Sequence, residues 1–193
     1  MDIIGYDFDN TVYRGDSSTH FTFWCLGHFP KTWLHLPAIV FWGTLFGLRI
    51  CTKTRFKSHL FGYLRHVKDV DKAVADFWKG HRKNLKGWYL KKDHSRDVII
   101  SASPEFLLAP VFETLPVQKL MGTPMDKHTG VIHGENCWGP EKVRRLREYA
   151  PDFHMLEFYS DSRSDTPLAQ VSDKAFWSRE TRSSPGKHIT FIQ

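Results

Sequence analysis

Two aspartates, Asp7 and Asp9, lie one residue apart in the run Asp-Phe-Asp-Asn-Thr at residues 7–11. They follow an apolar run at residues 3–6 that is typical of a buried strand. Two carboxylates this close disfavour double ionisation unless a cation or a shared proton relieves their repulsion. A hard cation such as Mg2+ prefers carboxylate oxygens and keeps water and substrate phosphate as further ligands. The pair therefore predicts a nucleophilic carboxylate, a proton-transferring carboxylate and a metal, although Asp-x-Asp also occurs in turns.

A second segment, residues 98–105, has three β-branched residues followed by Ser101, Ala102, Ser103 and a proline. This pattern predicts a strand that runs into the N-terminus of a helix, where anions bind readily. We expect the Ser101 hydroxyl and nearby backbone N–H groups to hold a phosphoryl oxygen. The alternative is that Ser101 or Ser103 simply caps the helix.

A third segment places Lys142 in the first turn of an amphipathic helix that begins at Gly139-Pro140. A cation in that turn opposes the helix dipole, which indicates a purpose other than helix stability. The alternative is a solvated lysine paired with the neighbouring Glu141 or Glu148.

A fourth segment carries Asp161 and Asp165 after a strand-like apolar run at residues 155–159. Asp161 is expected at the strand end and Asp165 near the start of the next helix. This second acidic cluster is again suited to a hard cation, and the alternative for Asp165 is a helix cap.

In their order along the chain, the four segments resemble the signature motifs of the haloacid dehalogenase-like superfamily of phosphohydrolases. The phosphoserine phosphatase-like branch is the most similar, because its fourth motif usually reads Gly-Asp-Ser-x-x-Asp, and only the glycine is replaced here, by Ser160. The resemblance covers residues 2–12 and 97–178.

The resemblance implies a catalytic role for each matched residue. Asp7 would attack phosphorus and form an aspartyl-phosphate, and Asp9 would protonate the leaving oxygen and then activate water. The phosphoryl oxygens would be bound by Ser101, Ala102 and Lys142. Because halide displacement has no leaving oxygen to protonate, Asp9 favours phosphoryl transfer over dehalogenation.

The resemblance also implies Mg2+ as the cofactor. Asp7, the backbone carbonyl of Asp9 and Asp161 would be its ligands. Asp165 would support the metal through water or hydrogen bonds.

Strand-like and helix-like segments alternate along the chain, which predicts an α/β fold with a mostly parallel sheet. The resemblance implies that this fold has a Rossmann-like three-layer core. Strands are expected at residues 2–7, 97–101, 117–121, 155–160 and 174–177, and helices at 104–114, 139–149 and 164–170. All four motifs then fall at the carboxyl ends of strands, where open α/β sheets bind their ligands.

The first two motifs are separated by a stretch far longer than an ordinary crossover, with a helical and aromatic composition. The resemblance implies that residues 13–96 form a helical cap, and that residues 1–12 and 97–193 form the catalytic core. Such a cap would exclude water and select the substrate.

Charge is divided unevenly between these parts. Residues 12–97 contain 16 Lys or Arg and 6 Asp but no Glu, a formal charge of +10, whereas the whole chain carries +6. A basic cap over a phosphate site favours an anionic substrate or an anionic surface. The alternative is an ordinary solvated basic face.

Residues 36–48 carry no charge and are flanked by His35 and Arg49. This run is shorter than the roughly 20 residues of a membrane-spanning helix. We expect a buried cap helix. The alternative is a segment that enters a membrane interface while Arg49, Lys53, Arg55 and Lys57 meet anionic headgroups.

The expected substrate is a small soluble phosphomonoester of the phosphoserine type. Asp16 lies nine residues after Asp7, where phosphoserine phosphatases carry a glutamate that contacts the substrate amine, so it is a possible substrate contact. Alternatives are a lipid phosphate of the phosphatidylglycerophosphate type at a membrane surface, a phosphotransferase, and a non-catalytic protein that binds anions or nucleic acid. The retained catalytic residues disfavour the last of these.

Cys25, Cys51 and Cys137 are widely spaced and show neither a disulfide nor a zinc pattern. Together with an N-terminus that does not resemble a signal peptide, they predict a cytoplasmic protein, with peripheral contact at the inner face of the membrane as the alternative. We expect a polar loop or tail at residues 178–187, and either a short edge strand or an ordered tail at 189–192.

Overall fold

A six-stranded sheet organises the chain. The computed structural model describes residues 1–178 and 189–192, and its strands lie in the order β3-β2-β1-β4-β5-β6. The first five strands are parallel to their neighbours, and β6 is antiparallel to β5. The strands are β1 (Asp2–Tyr6), β2 (Asp97–Pro104), β3 (Lys119–Thr123), β4 (His154–Ser160), β5 (Ser172–Ser178) and β6 (Ile189–Ile192).

Both faces of the sheet are covered, as the apolar strand sequences require. In β2, Ile99 packs in one hydrophobic cluster, whereas Val98 and Ile100 pack in another on the opposite face. This alternation follows from the two-residue period of a strand. The sheet therefore has an apolar core on each side, and the predicted α/β three-layer architecture is confirmed.

Helices cover the two faces. On one face, buried residues of α4 and α6 join the larger cluster, and on the other face α7 and α8 contribute Leu146 and Leu168. The α-helices are α1 (Ser17–His28), α2 (Leu36–Gly47), α3 (Lys53–Leu60), α4 (Val70–His81), α5 (Gly87–Leu90), α6 (Glu105–Phe112), α7 (Pro140–Tyr149) and α8 (Thr166–Ala169). Four 3-10 turns lie at Pro30–His35, Phe61–His66, Arg82–Asn84 and Arg163–Asp165.

The element boundaries differ from the sequence prediction at several ends. β2 runs to Pro104 rather than stopping at residue 101, and the helix expected at 164–170 is divided into a 3-10 turn and the short α8. The edge strand at 189–192 is present as β6. The expected polar loop lies outside the described residues, apart from Ser178, which ends β5.

Five α-helices lie between β1 and β2, in the segment expected to be helical. Among them α4 is strongly amphipathic, and it buries Val70, Ala73, Val74, Phe77 and Trp78 at the spacing of one helix face. The Trp78 indole nitrogen donates to the Leu107 carbonyl at 2.6 Å, which joins α4 to α6. The division into a cap of residues 13–96 and a core stays a prediction.

The expected burial of residues 36–48 is wrong. No residue of α2 is buried, and no residue of α3 is buried either. One side of α2 does pack on α3, where Trp42 stacks on His59 at 3.7 Å between ring centroids and Phe46 stacks on Phe56 at 5.0 Å. The prediction failed because an uncharged sequence shows that a helix is apolar but not how many neighbours cover it.

No helix among residues 1–178 and 189–192 combines the length and the apolar character needed to cross a membrane.

Candidate functional site

The carboxyl ends of β1, β2 and β4 converge at one edge of the sheet. Tyr6, the last residue of β1, is in register with Ile99 of β2 and with Tyr159 of β4. The backbone N–H of Asp7 continues this ladder by donating to the Tyr159 carbonyl at 2.8 Å. Because Asp161 directly follows β4, the first and fourth motifs are brought to the same edge.

A buried lysine lies between two carboxylates at this edge. The Nζ of Lys142 is 2.7 Å from Asp7 Oδ1 and 2.8 Å from Asp165 Oδ2. The side chain of Lys142 is only 2% exposed, and Asp165 is equally buried. Ser160 Oγ adds a further hydrogen bond by donating to Asp165 Oδ2 at 2.7 Å. The unfavourable place of Lys142 in the first turn of α7 is thus offset by two charge-assisted hydrogen bonds.

Burial shifts the protonation of this cluster. It raises the pKa of Asp7 to about 7, which Lys142 opposes and the negative charges of Asp165 and Asp9 reinforce. Burial alone would lower the pKa of Lys142, but Asp7 and Asp165 together hold it above the ordinary value. The lysine therefore stays charged while the Asp7 carboxyl titrates near neutrality.

Asp9 is held by serines rather than by a cation. Its Oδ1 accepts from the backbone N–H of Ser17 at 2.7 Å, and its Oδ2 accepts from Ser103 Oγ at 2.5 Å. Burial, followed by the charge of Asp16, raises the pKa of Asp9 to about 6, although Ser103 and Ser17 lower it. A carboxyl group with such a pKa can give and take a proton near neutral pH.

A tight loop delivers Ser17 to Asp9. The N–H of Asn10 donates to the Gly15 carbonyl at 3.0 Å, and Asn10 Oδ1 accepts from the Gly15 N–H at 3.1 Å. Asn10 has a φ of 56° and Gly15 a φ of 94°, which suits the two residue types that tolerate the left-handed region. These hydrogen bonds therefore join the motif directly to the start of α1.

The second segment bulges out of the sheet. The pairing of β2 with β3 shifts register between Ile100 and Pro104, so residues 101–103 leave the ladder beside Asp9. Ser101 is buried, and its hydroxyl accepts from the Ser103 N–H at 3.1 Å. The N-cap of α6 is Pro104 without a side-chain hydrogen bond, so the helix-capping alternative for Ser101 and Ser103 is wrong.

The carbonyl of Ala102 receives two donors. Thr123 Oγ1 donates to it at 2.7 Å, and the Nζ of Lys57 on α3 donates at 2.5 Å. Burial lowers the pKa of Lys57 to about 8. Nearby on α3, Lys53 lies 4.4 Å from the ring centroid of Trp138. Two cations from the helical segment thus reach the edge of the sheet that carries Asp7 and Asp9.

Asp16 is placed as a helix cap. It is the N-cap of α1, and its Oδ1 accepts from the Thr19 N–H at 2.6 Å. Its charge also raises the pKa of Asp9, so it lies within electrostatic reach of the site. A contact with substrate remains a prediction.

Comparison with known proteins assigns the chain to a family. A model of the haloacid dehalogenase-like hydrolases matches residues 4–170. The chain belongs to this family. The resemblance predicted from the four motifs is confirmed, and the protein is a hydrolase by family.

A curated relative matches only part of the chain. Protein CicA of Caulobacter vibrioides is 34% identical over 95 residues, which cover 46% of this chain and 42% of CicA. The chain therefore matches less than half the length of that curated relative.

Two crystal structures share the fold over most of both chains. A Bordetella pertussis Tohama I protein of unknown function has a TM-score of 0.71 at 20% identity, covering 90% of this chain and 88% of its own. A phosphoserine phosphohydrolase-like protein from Francisella tularensis has a TM-score of 0.56 at 15% identity, covering 91% and 86%.

The acidic groups of this haloacid dehalogenase-like hydrolase suit a hard cation. Burial, then the charge of Asp165, raises the pKa of Asp161, and Asp165 Oδ1 is a buried oxygen without a hydrogen-bond partner. Within the described part of the chain, no three His, Cys, Asp or Glu side chains gather into a metal-binding group. The expected ligand set needs only two carboxylates, a carbonyl and waters, so the all-oxygen donors present fit Mg2+.

Sequence reasoning missed Ser17 and Ser18, and it considered Ser103 only as a helix cap. It named Lys57 only as a possible contact to anionic headgroups, and not as a residue of this site. Ser103 lies two residues after Ser101 on the bulge, and its hydroxyl lies 2.8 Å from Ser18 Oγ. The Ser-Ala-Ser-Pro sequence contained a signal for Ser103, because a bulge presents both serines to the same edge. Lys57 had no such signal, since one lysine among the 16 basic residues of 12–97 carries no motif.

Replacing Lys142 by methionine should destabilise the metal-free protein by about 3–5 kcal/mol at pH 8, because Asp7 and Asp165 lose the cation between them. The loss should be smaller at pH 5.5. Without the lysine the pKa of Asp7 rises further, so its destabilising charge is present above that pKa and disappears as pH falls through it. Urea unfolding at both pH values measures the difference.

Lys72→Met is the matched control, because Lys72 is 70% exposed in its pair with Asp76. It should leave the urea midpoint nearly unchanged, because an exposed ion pair contributes little to stability. An equal loss for Lys142→Met at the two pH values would contradict the pH-dependent repulsion between the carboxylates.

Proposed function

We propose that this chain is a Mg2+-dependent phosphatase that hydrolyses a phosphomonoester through a phosphoryl group carried on Asp7. The observation that supports this most is the pairing of two differently held carboxyls. Asp7 is bound by the Lys142 cation at 2.7 Å, whereas Asp9 is bound by neutral serine groups and has a pKa of about 6. Two carboxyls in separate environments suit a nucleophile and an acid–base group.

The proposed first step transfers the phosphoryl group to Asp7. Lys142 holds Oδ1 of this carboxylate, so the other oxygen, Oδ2, would attack phosphorus while the bond to the leaving oxygen breaks. Asp9 in its protonated form would give its proton to that oxygen. The product would be an alcohol and an aspartyl-phosphate.

The second step would regenerate the enzyme. Asp9, now ionised, would take a proton from water as the water oxygen attacks phosphorus. Phosphate leaves, and the Asp7 carboxylate is restored. The hydroxyl of Ser103 orients Asp9 for both transfers through its 2.5 Å hydrogen bond.

Charge compensation would come from groups around the phosphoryl oxygens. Lys142, Ser101 and the backbone of Ala102 are the proposed phosphate ligands, and Lys57 adds a cation from α3. Mg2+, held by Asp7, Asp161 and the Asp9 carbonyl with support from Asp165, would neutralise part of the negative charge of the phosphoryl group.

The proposed substrate is a small phosphomonoester of the phosphoserine type. Its support is the shared fold of the phosphoserine phosphohydrolase-like protein, combined with the phosphate-binding groups above. The N-cap bond of Asp16 argues against a dedicated amine contact, because one of its oxygens is already used by Thr19. The exposed apolar helix α2 favours a second candidate, a lipid phosphate of the phosphatidylglycerophosphate type.

The proposed location is the reducing cytoplasm. Cys25, Cys51 and Cys137 are free thiols, and Cys25 and Cys137 are buried. Unpaired cysteines are usual in cytoplasmic proteins.

Asp7→Asn should reduce phosphate release by at least about 10³-fold, because an amide cannot form the covalent intermediate. The measurement is phosphate release with Mg2+ from phosphoserine, sugar phosphates, nucleotides and a lipid phosphomonoester in mixed micelles. Asp71→Asn, the same change at an exposed position of α4, should retain activity.

Each result in this panel has a defined meaning. Near-native activity of Asp7→Asn would refute the nucleophile assignment. Transfer of phosphate to added glycerol in preference to water would identify a phosphotransferase instead of a hydrolase.

Mg2+ should raise the melting temperature of the metal-free protein, because it binds the folded site and relieves carboxylate repulsion. Asp161→Asn should abolish most of that increase, whereas Asp152→Asn, outside the site, should retain it. Differential scanning fluorimetry measures this without any substrate. An unchanged Mg2+ response in Asp161→Asn would exclude Asp161 as a ligand.

Lys57→Met should raise KM for a phosphomonoester about tenfold and change kcat less, because it removes a cation that attracts the phosphate. In the unmodified protein KM should rise above about pH 8, since Lys57 is charged below its pKa and neutral above it. Lys68→Met, at an exposed position, should leave KM unchanged. A KM that is flat with pH and insensitive to Lys57→Met would contradict this role.

A further inference from the structure

An apolar surface on α2 is left uncovered by the rest of the described chain. No residue between positions 33 and 60 is buried, although α2 contains only apolar residues, glycines, a proline and one threonine. Val40 is 67% exposed, Phe41 58% and Leu48 64%. Three further apolar residues are exposed beyond the two ends of the helix: Trp33, Leu34 and Ile50. We call these six residues the α2 surface.

We propose that the α2 surface binds an anionic phospholipid bilayer, with α2 lying in the interface. This inference goes beyond the proposed reaction and does not depend on the identity of the phosphomonoester.

The apolar side chains of the surface are unlike scattered exposed hydrophobics. Single exposed apolar residues are normal on soluble proteins, but a contiguous cluster indicates an interaction site. The other side of α2 is used in packing, because Trp42 and Phe46 stack on His59 and Phe56 of α3. Hence α3 supports α2 from behind and leaves Val40, Phe41 and Leu48 to face outward.

The charges that flank the α2 surface in the sequence favour an anionic partner. Residues 17–68 contain seven Lys or Arg and no Asp or Glu. Lys31 and Arg49, just outside the two ends of α2, are both exposed. A helix that lies at a bilayer surface combines apolar side chains directed into the acyl region with Lys or Arg directed to anionic headgroups. A protein partner would be attracted by these basic residues only if its own surface were strongly acidic.

The position of α3 connects this surface with the catalytic site. On α3, Lys57 donates to the Ala102 carbonyl, and Thr54 Oγ1 lies 3.2 Å from Glu135 Oε2. The helix therefore lies between α2 and the bulge that follows Ile100. A bilayer bound to α2 would hold the sheet edge that carries Asp7 and Asp9 near the headgroup layer, with α3 between them.

The test is co-sedimentation of the full chain with sucrose-loaded vesicles. One set contains phosphatidylcholine alone, and the other contains phosphatidylcholine and phosphatidylglycerol at a ratio of 7:3. We expect binding to the anionic set, weak binding to the neutral set, and a loss of binding as the salt concentration rises.

Two double variants measure separately the apolar and the electrostatic contributions to vesicle binding. Phe41→Ser with Leu48→Ser should weaken binding to anionic vesicles by at least about tenfold. Lys31→Gln with Arg49→Gln should weaken it by about fivefold for each cation removed. Leu90→Ser, a matched change at an exposed leucine of α5, should bind like the unmodified chain.

Circular dichroism shows whether the variants still fold. Turnover of a soluble phosphomonoester shows whether the proposed reaction is intact, so a loss of vesicle binding can be assigned to the α2 surface. Both should be unchanged in the two double variants, since none of the four positions lies in the catalytic site. Binding to neither vesicle set, or unchanged binding by Phe41→Ser with Leu48→Ser, would overturn the proposal. A dimer that this variant dissociates, in the absence of vesicle binding, would assign the surface to a second copy of the chain and also overturn it.

Discussion

The structure depends on one buried ion triad, in which Lys142 lies between Asp7 and Asp165. Buried charges are costly to remove from water, and they are retained only where each has a partner at hydrogen-bond distance. Here the two contacts measure 2.7 and 2.8 Å, and Ser160 completes the set on Asp165. The triad connects the end of β1 with the start of α7 and the turn after β4, so the same contacts hold together the fold and the sheet edge that carries the proposed site.

The sheet explains how such distant residues meet. Asp7, Ser101 and Asp161 come from three parts of the sequence, but each lies where a strand of the parallel sheet ends or loses its regular pairing. Neighbouring parallel strands have their carboxyl ends at the same edge of the sheet. Residues that directly follow these strands therefore lie close together, although they are far apart in the sequence. The bulge at residues 101–103 adds a second feature, because it directs Ser103 to Asp9 instead of to the helix that follows.

Much of the core was predictable because its signals are local. Apolar runs marked the strands, and Gly-Pro marked the start of α7. The α/β fold followed from the alternation of strands and helices, and the convergence of the motifs followed from their expected positions at strand ends. The exposure of α2 and the reach of Lys57 were not predictable, because both depend on how α3 packs against the sheet edge. That packing is a tertiary property of residues 33–60, whose uncharged and basic stretches are compatible with burial, with a membrane surface and with solvent.

The covalent intermediate on Asp7 can be sought directly. The protein would be mixed with Mg2+ and a turned-over phosphomonoester, quenched in acid within milliseconds, digested and analysed by mass spectrometry. A phosphoryl group is expected on the peptide that contains Asp7, formed before phosphate release reaches its steady rate. Steady turnover with no phosphorylated peptide, or with the phosphoryl group on another residue, would contradict it.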